Sequence, residues 1–153
     1  MMWFNKNHPN VAYMDIRYED ITSSRGEILH IHPDYGGDFR HTEFNHKFKL
    51  IVWDPPHLVG NCITGDLAKS FGSLKPETWQ NDLKHGFANL WKHLEDYGVL
   101  IFKWNEACKK VKQILCLFPE APLFGQISKG GANCDKCSKT YWFCFMKLPE
   151  AEK

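Results

Sequence analysis

The chain has 153 residues and a mass of 17.9 kDa, the size of one domain that buries its own core without staples. It is 43% hydrophobic and 24% charged, and 11 Phe, 6 Trp and 5 Tyr make it rich in aromatics. No apolar run approaches the roughly 18–20 residues of a membrane span and no signal peptide opens the chain, so membrane protein, secreted disulfide scaffold and disordered tail are excluded. The net charge of +1 is unevenly spread. Residues 1–102 carry 10 Lys and Arg against 13 Asp and Glu, whereas residues 103–153 carry 9 against 5. That C-terminal excess is a weak polyanion signal and reads first as a solvated face.

In chain order, Val11–Ile16 is a short apolar run ending in an acid and predicts a buried strand. Glu27–His32 alternates with period two, which puts His30 and His32 on one face, and Pro33–Gly37 reads as a turn. Lys49–Trp53 predicts a continuous apolar strand stopped by Asp54-Pro55-Pro56. Pro76 and Glu77 suit the first turn of a helix whose apolar stripe is Trp79, Leu83, Phe87, Leu90, Trp91 and Leu94, with Asn81, Lys84, Asn89 and Lys92 facing outward. Gly98–Phe102 is the next strand. Asn105 then caps a second helix with the stripe Ala107, Val111, Ile114 and Leu115, ended by Pro119, and Thr140–Met146 is the last strand. Strand and helix in alternation predict an α/β fold with a mostly parallel sheet covered on both faces. His41, His46, His85 and His93 read as surface residues.

Six cysteines without framework spacing read as reduced thiols of a cytoplasmic protein. Cys134-Asp-Lys-Cys137 is half of a tetrahedral zinc site. A whole site needs a second pair, which His30 and His32 could supply by converging on it; otherwise the pair marks a hairpin tip.

Asp54-Pro55-Pro56-His57 carries the most chemistry. An acid and two prolines stand at the C-terminal edge of a strand, where open α/β sheets bind ligands. Prolines donate no hydrogen bond and fix the backbone, leaving rigid carbonyls. A carboxylate and a carbonyl together accept both hydrogens of an amino group and aim its lone pair at an electrophile.

With these residues the chain resembles the class I S-adenosylmethionine-dependent methyltransferases, in particular small amino-methylating enzymes of phages and prophages with an Asp-Pro-Pro-aromatic motif. The resemblance also runs through Trp3-Phe4-Asn5-Lys6, Met14-Asp15-Ile16-Arg17, His32-Pro33-Asp34, Asp38-Phe39-Arg40, Ile101-Phe102-Lys103-Trp104-Asn105-Glu106, Pro122-Leu123-Phe124-Gly125 and Phe145-Met146-Lys147. It implies a Rossmann-like sheet, mostly parallel with a C-terminal antiparallel hairpin, and S-adenosylmethionine as cofactor. Phe4, Asp15, Ile16, Asp38 and Phe39 are the implied cofactor residues, with Asp15 on the ribose diol and Asp38 with Phe39 at the adenine. Asp54, Pro55, Pro56 and His57 are the implied catalytic residues. His57 stands where the nucleic-acid enzymes carry Tyr, Phe or Trp, and imidazole stacks over a smaller area. Lys103, Trp104 and Asn105 are implied to meet substrate.

The family's first strand and glycine loop belong just before Met2-Trp3-Phe4, so the sheet is expected to lack its first strand. No separate target-recognition segment is recognisable, so sequence specificity is expected to be low or to come from a partner. Two functions follow as expectations. One is methyl transfer to an amino nitrogen, adenine N6 or cytosine N4 of DNA among them. The other is an inactive methyltransferase-like binding protein that acts as a homodimer or on a protein partner.

Overall fold

The computed structural model describes residues 5, 7–60, 65–128 and 138–149. Their elements follow in the order β1 (Met14–Asp15), β2 (Glu19–Thr22), β3 (Ile28–Ile31), β4 (Tyr35–Gly36), β5 (Phe48–Trp53), α1 (Asp66–Phe71), α2 (Trp79–Lys92), β6 (Leu94–Asn105), α3 (Val111–Leu115), β7 (Phe124–Ser128) and β8 (Thr140–Met146). Strands β5-β6-β8-β7 form one sheet. β5 and β6 are parallel with Trp53 opposite Phe102, and β8 runs against both β6 and β7. Three of the four strands therefore point one way, and β7–β8 is the C-terminal antiparallel hairpin.

Two smaller pairs lie outside that sheet: β1 parallel to β4, and β2 antiparallel to β3. Among the described residues β5 has no partner on its outer side, the position at which the family resemblance expects another strand. Leu50 on this edge is half exposed. No helix among the described residues is long and apolar enough to cross a membrane.

The core is aromatic. Trp79, Leu83, Phe87 and Leu90 of α2 are buried, as their helical spacing predicts, and meet the sheet through Phe102, Phe145 and Trp53, whereas Leu94, expected on the same stripe, opens β6. Phe118, beyond α3, joins the two layers: its ring stacks on Phe87 at 4.4 Å and meets Phe102 edge-on at 5.2 Å. Each such side chain contributes roughly 1.5–3 kcal/mol by leaving water.

Several sequence expectations need correction. Val11–Ile16 forms only a two-residue strand, because its partner β4 is equally short, and Ile16 is 67% exposed. Tyr35–Gly36, read as part of a turn, is that partner. Strands β2 and β7 and helix α1 went unread. Asn105 ends β6 instead of opening a helix: its amide donates to Thr140 Oγ1 at 2.8 Å, and its carbonyl oxygen accepts from Ala107 N at 2.9 Å. Helix α3 starts only at Val111, after a turn in which Glu106 accepts from the Val111 amide.

His93 is buried, not on the surface. Its Nδ1 hydrogen-bonds the Asn89 carbonyl at 2.8 Å and its Nε2 accepts from the Phe44 amide at 3.2 Å. Asn89 is held as well, donating to the carbonyls of Phe39 and Thr42. Cys108 is disulfide-bonded, which corrects its reading as a reduced thiol, whereas Cys116 and Cys144 are free thiols as expected.

Close approach fixes one glycine. A Cβ on Gly86 of α2 would lie 2.4 Å from Phe39 Cδ2 and 2.9 Å from Trp53 Cζ2. Gly86→Ala gains about 1 kcal/mol of helix propensity and loses about 2 kcal/mol by overpacking. The midpoint of urea denaturation is expected to fall by the equivalent of about 1 kcal/mol; an unchanged or raised midpoint would show that moving the Phe39 ring costs no more than the helix propensity gained.

Candidate active site

Pairing between β5 and β6 carries Trp53 into the core and delivers Asp54 just beyond it. Pro55 is buried and Pro56 half buried, and neither has an N–H to continue a ladder. Asp54 Oδ2 accepts from Lys103 Nζ at 2.6 Å, both side chains being about a quarter exposed. Lys103 follows Phe102, the residue opposite Trp53, so the pair arises from adjacent ends of two parallel strands. The ammonium also lies 5.7 Å over the ring of Trp142, its cross-strand neighbour on β8. Lys103 is thus held on Asp54, where the sequence expectation had it meeting substrate. No other described residue hydrogen-bonds Asp54.

Asp15 and Asp38 share one local design. Each is followed two residues later by an arginine whose amide and guanidinium both return to it. Asp15 Oδ1 accepts from Arg17 N at 2.9 Å and Arg17 Nε at 3.0 Å, and Oδ2 accepts from Nη2 at 3.1 Å. Asp38 Oδ1 accepts from Arg40 N and Nε, both at 2.9 Å, and Oδ2 accepts from Nε at 3.0 Å and Nη2 at 2.5 Å. The Arg40 hydrogen bonds hold the Asp38 carboxyl below its ordinary range.

The arginines reach further. Arg17 donates to the carbonyls of Lys69 and Ser70 at the end of α1, and Arg40 donates to Asp82 of α2 at 2.7 Å. The Arg17 contacts satisfy carbonyls that a helix end otherwise leaves open. The same helix reaches the Asp54–His57 segment through another side chain, since Phe71, the last residue of α1, lies 5.9 Å from the His57 ring. Phe39 in turn sits 5.6 Å from Trp53. Contacts of α1 thus link Arg17, beyond β1, to His57, and Phe39, beyond β4, meets the last residue of β5.

Not every expected residue is placed for the role expected of it. Trp104 is fully buried, and its indole donates to the Lys109 carbonyl at 2.9 Å. Its ring belongs to the core, so the substrate contact expected of it does not fit this placement. Asn105 is spent on Thr140 and Ala107 as described above. Phe39 packs against the core, and Ile16 is exposed beside Asp15. Phe4, Cys134 and Cys137 lie outside the described residues.

Sequence reasoning missed Arg17, Arg40 and the pairing role of Lys103. The repeated Asp-x-Arg spacing was the available signal for the first two, and the adjacency of two strand ends for the third.

His57 is half buried, and its imidazole pKa is pushed below 6.5, first by burial and then by the Lys103 charge, against a raising effect of Asp54. A depressed imidazole is neutral at pH 7. Stability is lost as pH falls through 6.5, because the unfolded chain takes up the proton before the folded one does. Titration of the His57 ring protons by NMR is expected to give a midpoint below 6.5, and Lys103→Met is expected to raise it. A midpoint at or above 6.5 in the wild-type chain contradicts the burial.

No protein-family model matches the chain, and no curated protein does. Among solved structures it is similar to the N-methyltransferase NodS from Bradyrhizobium japonicum WM9, with a TM-score of 0.50 and 12% sequence identity over 75% of this chain. It spans 59% of that protein's length, less than two thirds. At this identity the likeness shows the fold alone: a mixed α/β chain with a largely parallel main sheet.

Proposed function

We propose that the chain is an S-adenosylmethionine-dependent methyltransferase acting on an amino nitrogen, with the exocyclic amines of adenine and cytosine in DNA as the acceptor class. One observation carries this reading: Asp54, with two prolines behind it, stands at the C-terminal end of a parallel strand in a fold similar to that of an N-methyltransferase.

Among the candidate carboxylates the capacity to hold the cofactor differs. A carboxylate offers about four lone-pair sites. Asp15 accepts three hydrogen bonds, which leaves Oδ2 able to take a ribose hydroxyl. Asp38 accepts four and is filled by Arg40, while Phe39 is turned into the core, so the adenine role does not fit their placement. Asp15 is therefore the residue that would hold the cofactor, which supplies an activated methyl group on a sulfonium.

The protein's part is positioning. Asp54 Oδ1 and the Pro55 carbonyl accept the two N–H bonds of the substrate, which leaves the nitrogen lone pair directed away from both. Lys103 stays on Oδ2 and fixes the carboxylate plane. Asp54 would receive the proton that the nitrogen sheds when the methyl group leaves its sulfur, the S–C bond breaking as the N–C bond forms and a neutral thioether remaining. His57, neutral and already against Phe71, offers a flat face to a planar base.

A second reading, an inactive binding protein, is favoured by the pairing of Asp15, Asp38 and Asp54 with basic side chains. Transfer of a labelled methyl group to DNA separates the two. The wild-type chain is expected to transfer, and Asp54→Ala, with an unchanged circular dichroism spectrum, to lose about 100-fold or more of the rate through misplacement of the amine. Equal rates in the two proteins would remove Asp54 from the mechanism, and no transfer by the wild-type chain would select the binding reading.

A further inference from the structure

Outside the main sheet, the β2–β3 hairpin gathers three metal-ligating side chains. Its turn is closed by Ser23 N donating to Glu27 O at 2.8 Å and by Gly26 at φ 81°. The register puts Asp20 directly opposite His30. Since side chains on one face recur every second residue, His32 joins them from just past the end of β3, while Ile21, Leu29 and Ile31 occupy the opposite, more buried face.

The three polar groups are exposed and already converge. Asp20 Oδ1 lies 2.8 Å from His30 Nδ1 and 3.0 Å from His32 Nε2, and one ligand atom from each residue falls within 4.8 Å of the others. Tyr18, two residues before Asp20, stacks on the His32 ring at 4.7 Å and 8° and so fixes the plane of that imidazole. Donor atoms around a tetrahedral zinc ion at about 2.0–2.1 Å stand about 3.3 Å apart. The two spacings to Asp20 Oδ1 differ from that by a few tenths of an ångström, and the two imidazole nitrogens lie within 4.8 Å of each other.

We propose that Asp20 Oδ1, His30 Nδ1 and His32 Nε2 bind one divalent first-row transition ion of the zinc class, clipping β2 to β3. Two imidazoles and one carboxylate suit zinc, cobalt or nickel; magnesium and calcium take oxygen ligands. Three protein ligands leave a further position for water.

Co2+ added to the tag-free, full-length chain tests this. We expect one bound ion per chain with visible d–d absorption and no thiolate-to-cobalt charge transfer, unaffected by Cys134→Ser with Cys137→Ser. His30→Ala and His32→Ala, both at exposed positions, are each expected to weaken binding by at least roughly tenfold, the loss that even an outer-shell partner causes. In a parallel titration with Zn2+, the ring resonances of His30 and His32 should move while those of His41 and His85 stay. Binding that persists in the double His30→Ala, His32→Ala variant would overturn the proposal, as would His30 and His32 resonances unmoved by saturating Zn2+. In the latter case the three residues are a hydrogen-bonded trio and nothing more.

Discussion

The parallel pairing of β5 with β6 is the constraint on which the rest of the molecule depends. It sets Trp53 opposite Phe102 inside the core, where the two rings meet at 5.1 Å and both contact Phe118. The same register puts the next residue of each strand, Asp54 and Lys103, side by side at the edge. Two prolines then end the ladder at that point, because they have no N–H to extend it. The apolar interior and the charged edge are thus two consequences of one alignment, and a slip by one residue would exchange them.

Asp54 and two acids outside the main sheet are held in the same way. Asp15, Asp38 and Asp54 each have a basic side chain within hydrogen-bonding reach, and two of those bases also tie the acid to a helix. Arg17 anchors the end of α1 and Arg40 reaches Asp82 on α2. Such partly exposed pairs contribute little net stability individually. Their larger effect is geometric: each fixes a carboxylate in one orientation and decides how many of its lone pairs stay available. On that ground Asp15 and Asp54 retain capacity for a ligand and Asp38 does not.

Much of the fold was legible because the elements that form the core carry strong periodic signals. The α2 stripe from Trp79 to Leu90 and the apolar runs of β5, β6 and β8 lie where their spacing put them. Strand β2 was not legible, since Glu19, Asp20 and Thr22 face water and only Ile21 turns inward. Strand β7 is solvent-facing at Phe124 and Ile127, and α1 spans too few residues to show a helical period. Of the candidate site, the position of Asp54 followed from a strand interrupted by two prolines. What closes around the acids did not, because a pattern of acids names the possible ligand but not the competing base. Trp104 shows the converse error: an aromatic residue near a strand end looked like a substrate platform, and alternation along β6 instead turned it into the core.

The proposed function rests on Asp15 keeping a lone pair of Oδ2 for a ribose hydroxyl. Isothermal titration of the folded chain with S-adenosylhomocysteine tests this most directly. One saturable site is predicted, weakened about tenfold by Asp15→Ala through the loss of a hydrogen bond of roughly 1.4 kcal/mol. No heat of binding from a sample whose circular dichroism shows it folded, or equal affinity in the wild-type and Asp15→Ala chains, would contradict it.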